Sequence, residues 1–258
     1  MLPRTRCRSG VVKVYHIVYE PAYRSADIHF WTACNLQCRA CYTRFETLDF
    51  GLYDDPVARI ADQAPAVPPQ HFLSCAEVMA KLRGLPVERA IFIGTEPALD
   101  PEMPHLARAL HLEFGCYNVL LTNGLHLAEL TEIDEVIFSI KAVSPASHLA
   151  YTGRDNRCIL DNFALLARKG VKMQVETVLI PDLIDAAEIE RVAEFVAGVA
   201  PAVPLRIDAY FPVPGCPWRA ASRAEVEEAA ERARRHVPKV SVLTLDMKRT
   251  GDKPTRLV

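Results

Sequence analysis

From residue 25 onward, apolar runs rich in β-branched residues alternate with stretches whose apolar residues recur at helical spacing. No other property of the chain narrows its fold so far. The runs at 27–32, 90–93, 118–121, 135–140, 172–180 and 205–210 have the length and composition of strands. Helical stretches separate them, at 74–83, 101–114, 145–151, 159–169 and 185–199. In the last of these, Ile189, Val192, Ala193 and Val196 share one helix face. Pro101 suits a first helical turn and Gly170 a helix stop. Strands this apolar, each followed by a helix, predict a parallel sheet covered by helices. Six such units predict an α/β fold of the partial (β/α)6 barrel type, although an open doubly wound sheet would read the same way.

Four segments stand outside the repeat. Residues 11–19 read as an extra edge strand, 223–237 as a charged amphipathic helix and 240–245 as a last strand. The polar tail 248–258 reads as frayed. The Pro- and Asp-rich stretch 43–70 is either a lid over a site or a plain surface connection. The expected organisation is one domain over 1–258, with a core at about 26–218, an N-terminal extension 1–25 and a C-terminal helix and tail 219–258.

Net charge is −2, so no basic field calls for a nucleic-acid partner. The arginine clusters Arg4/Arg6/Arg8 and Arg232/Arg234/Arg235 read as solvated surface. No apolar h-region follows the charged start, and no apolar run reaches the length of a membrane span. These features set a cytoplasmic expectation with no membrane partner. A chain of this length does not need disulfides, so its eight cysteines are expected to be reduced.

Three of those cysteines sit together, as Cys34-Asn-Leu-Gln-Cys38-Arg-Ala-Cys41. The count carries the chemistry. Structural zinc wants four protein ligands, and a disulfide wants two sulfurs. A 4Fe–4S cluster has four irons, usually one thiolate each. Three thiolates therefore suggest a cluster with one iron left open. The other readings are a zinc knuckle short of a ligand, or three unrelated thiols. The triplet follows the strand 27–32 directly, and parallel α/β architectures gather ligands at the carboxyl ends of their strands.

This C-x3-C-x2-C triplet, early in a chain of βα units, resembles the signature of the radical S-adenosylmethionine (SAM) superfamily. The resemblance implies a 4Fe–4S cluster held by Cys34, Cys38 and Cys41, and SAM chelating the open iron through its amino and carboxylate groups. Reductive cleavage of SAM then yields a 5′-deoxyadenosyl radical that abstracts a hydrogen atom, an oxidoreductase chemistry. Gly94-Thr95-Glu96-Pro97 resembles the family's Gly-Gly-Glu-Pro motif, with Thr95 for the second Gly. It implies that Gly94, Thr95 and Glu96 offer acceptors to the SAM ammonium, which has only donors. Leu121-Thr122-Asn123-Gly124 resembles the family's Thr-Asn-Gly, which makes Asn123 a cofactor-binding candidate. Ser139 and Lys141 share one side of the fourth strand. Ser139 is a further cofactor-binding candidate. Lys141 is a catalytic candidate, against a reading as a rim lysine.

From the triplet to Trp218 the chain is similar to the glycyl-radical-enzyme activating enzymes. The segment from Tyr151 to Asn156 and the stretch from Val175 to Pro181 carry that similarity. The departures fall at functional positions. Ser139 stands for an Asp, Glu176 for an Arg, Phe211 for a His and Leu121 for an Asp. Ala40 replaces the aromatic that packs on adenine, and Tyr42 is the candidate substitute. Glu176, in an apolar run, either faces SAM or substrate as a catalytic candidate or pairs with a neighbour such as Lys141 or Arg206. Asp208 poses the same question. Residues 212–218 either close the barrel mouth or dock a partner, and Cys216 reads as an inert thiol.

The resemblance implies an electron donor of flavodoxin or ferredoxin type. For the target it puts a glycine of a partner enzyme first. A small-molecule precursor in cofactor or modified-nucleoside biosynthesis follows, then RNA or protein modification. A non-catalytic iron–sulfur electron carrier is the alternative of another class, and such a protein has no need of the Gly94–Pro97 motif.

Overall fold

The computed structural model describes residues 11–61, 63–247 and 251–258. Cys7, the arginines at 4, 6 and 8, and residues 248–250 of the tail lie outside them. Nine strands form one sheet. They are β1 (Val14–Glu20), β2 (Ser25–Phe30), β3 (Arg89–Gly94), β4 (Tyr117–Thr122), β5 (Glu135–Ser139), β6 (Met173–Leu179), β7 (Leu205–Ala209), β8 (Val240–Leu243) and β9 (Thr255–Arg256). Their spatial order is 8-7-6-5-4-3-2-1-9. Strands β2 to β8 are parallel in chain order, and β1 runs antiparallel to β2. This order decides against the doubly wound alternative, which needs the strand order to reverse. Right-handed crossovers that always step the same way lay their helices on one face. The sheet stays open, with β8 and β9 at its edges, as a partial barrel does.

The helices are α1 (Pro56–Ala61), α2 (Cys75–Leu82), α3 (Met103–Phe114), α4 (Pro145–Thr152), α5 (Arg157–Arg168), α6 (Ala186–Val199) and α7 (Arg223–Ala233). Capping sets several starts. Ser74 and Glu77 form a capping box on α2, Ser222 and Glu225 one on α7, and Asp185 caps α6. Helix α3 begins at Met103 with Pro104 in its first turn, so Pro101 lies ahead of the helix rather than in it. Among the described residues no helix is long and apolar enough to cross a membrane.

Strand alternation divides each strand between helices and cavity. On β6, Met173, Val175 and Leu179 are buried in the core with α5 and α6, while Glu176 and Val178 face the other way. A second core packs Ile28, Phe30, Phe92 and Leu120 against α2 and α3. Each such large side chain contributes about 1.5–3 kcal/mol by leaving water.

Two expectations need correction. The tail is not frayed at its end: Thr255–Arg256 adds an antiparallel strand to β1, and Leu257 and Val258 pack on the second core. Two apolar residues behind a polar stretch suffice, because β1 offers an open edge. Residues 11–19 therefore give a strand one place in from the edge. Cys75 is disulfide-bonded, so the thiols are not all reduced, whereas the triplet and Cys116, Cys158 and Cys216 are free. Chain length removes the need for a disulfide but does not forbid one.

Candidate active site

The loop after β2 carries the triplet and is pinned on both sides. The Thr95 hydroxyl accepts from the Thr32 amide at 2.8 Å and donates to the Thr32 carbonyl at 2.9 Å. Thr32 Oγ1 donates to the Glu96 carbonyl at 2.8 Å. Opposite, the Gln37 and Arg39 amides donate to the carbonyls of Thr152 and Tyr151 at the end of α4, both at 2.9 Å. The sulfurs meet polar hydrogens: Asn123 Nδ2 donates to Cys34 Sγ at 3.7 Å, and Thr43 Oγ1 lies 2.9 Å from Cys41 Sγ.

Glu96 joins the strand ends. Its buried carboxylate accepts from Thr122 Oγ1 at 2.8 Å, the Asn123 amide at 2.8 Å and the Ala98 amide at 3.2 Å. The Asn123 side chain, in turn, donates to Asn35 Oδ1 at 2.8 Å. Burial pushes the Glu96 carboxyl up to about 7, although these bonds pull it down. The sign follows from linkage. A carboxyl raised in the folded state gives stability that is complete below its unfolded value and lost as pH rises to the folded one. Glu96→Gln is therefore expected to flatten the fall in stability between about pH 4.5 and 7, worth about 3 kcal/mol in urea titrations of the metal-free chain. An unchanged pH slope in the variant would contradict the buried-carboxyl assignment.

The strand ends open into one cavity of about 360 Å³. It is lined by Cys34, Cys38 and Cys41, by Tyr42, by Gly94, Thr95 and Glu96, and by Asn123, Ser139, Lys141 and Glu176. All eleven site candidates of the sequence thus reach one space. Glu176 answers both of its readings, since it lines the cavity and is paired there. Arg206 donates to Glu176 Oε2 directly, Ser139 Oγ to Oε1 at 3.3 Å, and Lys141 Nζ lies 4.0 Å from Oε1. Arg206 also grips Asp208 at 2.8 and 3.1 Å. Burial, then the charge of Glu176, pushes the Asp208 carboxyl up to about 6. Burial pulls the Lys141 ammonium down, but Glu176, Cys38, Cys41 and Asp208 leave it above its usual value.

Arg206 stands beside Glu176 across the β6–β7 ladder. The guanidinium missing from the fifth strand is thus supplied to the same cavity by the sixth strand of the series. Its i, i+2 spacing with Asp208 was the available signal. Phe50 and Phe211 were not legible as lining residues. With Tyr42 they form an aromatic wall, Tyr42–Phe50 at 4.4 Å and Phe50–Phe211 at 5.1 Å between ring centres. The segment after the triplet thereby contributes to the cavity itself. Residues 212–218 fold against the cysteine loop, with Cys216 Sγ donating to the Arg39 carbonyl at 3.1 Å and Arg39 stacked over Trp218 at 4.8 Å.

The donor set fits a cluster with an open iron. Three free thiols line the cavity, and no fourth Cys or any His does so among the described residues. His29, the nearest His in sequence, is engaged with Asp49 at 2.8 Å. A full zinc tetrahedron is not available from such a set.

The Radical SAM superfamily profile matches residues 28–196, and the chain belongs to that superfamily of enzymes. A Methanocaldococcus jannaschii protein provisionally named a glycyl-radical enzyme activating enzyme is 27% identical over 188 residues, which cover 69% of this chain and 64% of that protein. The chain thus spans under two-thirds of this relative's length. In fold it is similar to a radical SAM methyltransferase from Sphaerobacter thermophilus, with a TM-score of 0.62 at 15% identity over 90% of this chain and 70% of that one. It is also similar to QueE from Escherichia coli, with a TM-score of 0.53 at 15% identity over 93% and 96% of the two chains. The last two likenesses concern the fold.

Proposed function

We propose that this chain binds a 4Fe–4S cluster and SAM in the cavity and abstracts a hydrogen atom from its substrate, with a glycine of a partner enzyme as the first-ranked target. One observation carries the reading: three free thiols, the strand-end acceptors and a charged wall share one cavity of a size common for small ligands. When bound, a reduced cluster with SAM on its open iron supplies the 5′-deoxyadenosyl radical. The chain's own residues do the rest. Cys34, Cys38 and Cys41 hold three irons. Asn123 and Thr43 offer hydrogens to the sulfurs. Glu96 Oε2 accepts from the Asn123 amide and retains a lone pair for the SAM ammonium. The Thr95 hydroxyl is committed to Thr32, so its contribution to SAM is through the backbone. Lys141 and Arg206 present cations for a carboxylate. Tyr42, with Phe50 and Phe211, offers rings on which adenine can stack. An electron donor of flavodoxin or ferredoxin type and a cytoplasmic location complete the proposal.

The charged wall favours a second reading. Lys141, Glu176, Arg206 and Asp208 suit a charged small molecule better than a peptide glycine, which has no charge to meet them. One experiment separates the two. Anaerobically loaded protein with dithionite and SAM should release 5′-deoxyadenosine. Deuterium from a labelled glycine residue in a partner, with a glycyl-radical EPR signal, supports the activating role. Deuterium arriving from a metabolite, in proportion to its turnover, supports the small-molecule role. Loaded protein that releases no 5′-deoxyadenosine under either condition refutes both.

A further inference from the structure

A second cluster of ligating side chains lies where β1 and β2 meet the loop after the cysteine triplet. Glu20 of β1, Asp27 of β2 and Asp49 of that loop bring carboxylate oxygens within 4.8 Å of one another. Register explains the convergence. Asp27 pairs with Val18 and His29 with His16 across the β1–β2 ladder. Ala26, Ile28 and Phe30 belong to the core under α2 and α3, so alternation turns Asp27 and His29 to the opposite face. The loop lays Asp49 on that face.

Asp49 is held from three sides. Its Oδ2 meets His29 Nε2 at 2.8 Å, its Oδ1 accepts from the Gly51 amide at 2.6 Å, and its own amide donates to His16 Nε2 at 3.3 Å. His16 Nδ1 is fixed in turn, 2.5 Å from the Val258 carbonyl. Gly51 forms part of the cradle. A Cβ there would stand 2.7 Å from Glu20 Oε1 and 2.8 Å from Asp49 Oδ1. Amid this ordered shell, Asp27 Oδ1 is shut off from solvent and has no hydrogen-bond partner among the described residues. Leaving such an oxygen bare costs about 1–3 kcal/mol or more, and the neighbouring carboxylates add repulsion. A bound cation answers both.

We propose that Glu20, Asp27 and Asp49 bind a hard divalent cation of the Mg²⁺, Ca²⁺ or Mn²⁺ kind, which clamps the loop carrying Asp49 and Phe50 to the inner face of the sheet. Three carboxylate donors select such an ion over soft metals. His29 is then the outer partner that orients a ligating carboxylate. The site stands apart from the cysteines, since none of its carboxylate residues lines the cavity. Its connection to the cavity is Phe50, adjacent to Asp49 and packed on Tyr42 and Phe211. The proposal does not depend on which substrate the cavity takes.

Mn²⁺ is the probe, added to the full chain with its iron–sulfur cluster reconstituted, and the EPR signal of free Mn²⁺ counts what is bound. The expected result is one ion per chain, saturating at or below about 1 mM and displaced by Mg²⁺ or Ca²⁺. Asp27→Asn should lose this binding, and His29→Ala should weaken it by about 10–100-fold, with iron and sulfide contents unchanged. Mn²⁺ should also slow proteolysis of the segment 43–56 in the unmodified chain but not in Asp27→Asn. Should Asp27→Asn fail to fold, Glu20→Gln at the end of β1 carries the same expectation. No stoichiometric Mn²⁺ in the unmodified chain, or undiminished binding in these carboxylate variants, overturns the proposal and leaves carboxyls sharing a proton in the ion's place.

Discussion

Cys38→Ala is expected to leave a folded chain that cannot hold its iron–sulfur cluster and cannot cleave SAM above background. The fold loses little. Cys38 is only partly buried at the rim of its core, so truncation removes one sulfur and costs about 1 kcal/mol. Its carbonyl, which accepts from the Cys41 amide at 3.2 Å, survives the change. The chemistry loses far more. Among the described residues no other cysteine lines the cavity beside the triplet, so nothing replaces the missing thiolate. Burial also pushes the Cys38 thiol up to about 12, which makes a bare thiolate unfavourable and leaves the anion to be stabilised by bound iron. Iron and acid-labile sulfide content, the visible absorbance and 5′-deoxyadenosine release together measure the loss. Cys216→Ala is the control: its sulfur donates to a carbonyl on the far side of the loop, and loading should be unchanged. A Cys38→Ala protein that loads and turns over normally would sink the ligand assignment.

Gly94→Ala has the second large effect, and it falls on folding. Gly94 ends β3 with φ at +118°, and a Cβ would lie 2.3 Å from the Phe30 carbonyl oxygen and 2.7 Å from the Phe30 nitrogen. These are backbone atoms of the neighbouring strand, so neither can swing away. Relief requires pulling β2 from β3 at the point where the Thr95 amide bonds to Phe30 at 3.0 Å and the cysteine loop departs. A cost of at least about 3 kcal/mol is expected, which for a chain of this size lowers Tm by roughly 6–12 °C. Gly84 isolates the steric part. Its φ is +87°, but nothing lies within 4 Å of a Cβ there. Gly84→Ala should cost only about 1 kcal/mol, through backbone strain alone. Equal losses at the two positions would remove the close strand approach as the reason for glycine in this motif.

Much of the fold was legible because strand and helix periodicities are local. The run at 205–210 and the strand Leu205–Ala209 differ by a single residue. The end of the tail was misread because Thr255–Arg256 is held by the open edge of β1, more than 200 residues away in sequence, and not by its own composition. In the cavity, acceptor and thiol residues announced themselves through motifs that stand where strands end. Phe50 did not, since an aromatic in a Pro- and Asp-rich connection carries no periodicity. It reached the cavity because Asp49 is tied to His29 and His16 on two strands.

The sequence by itself determined the donor count and the strand–helix alternation. Both follow from chemistry that needs only neighbours along the chain: three thiolates within eight residues, and side chains that alternate or recur by turn. Only the tertiary structure decided which charges meet. Glu176 and Arg206 lie thirty residues apart, yet the parallel register of β6 and β7 sets them side by side in one cavity. The same holds for Glu20, Asp27 and Asp49, whose meeting depends on the β1–β2 register and on a loop folded back across it. Register is a property of paired strands, and no single strand's pattern contains it.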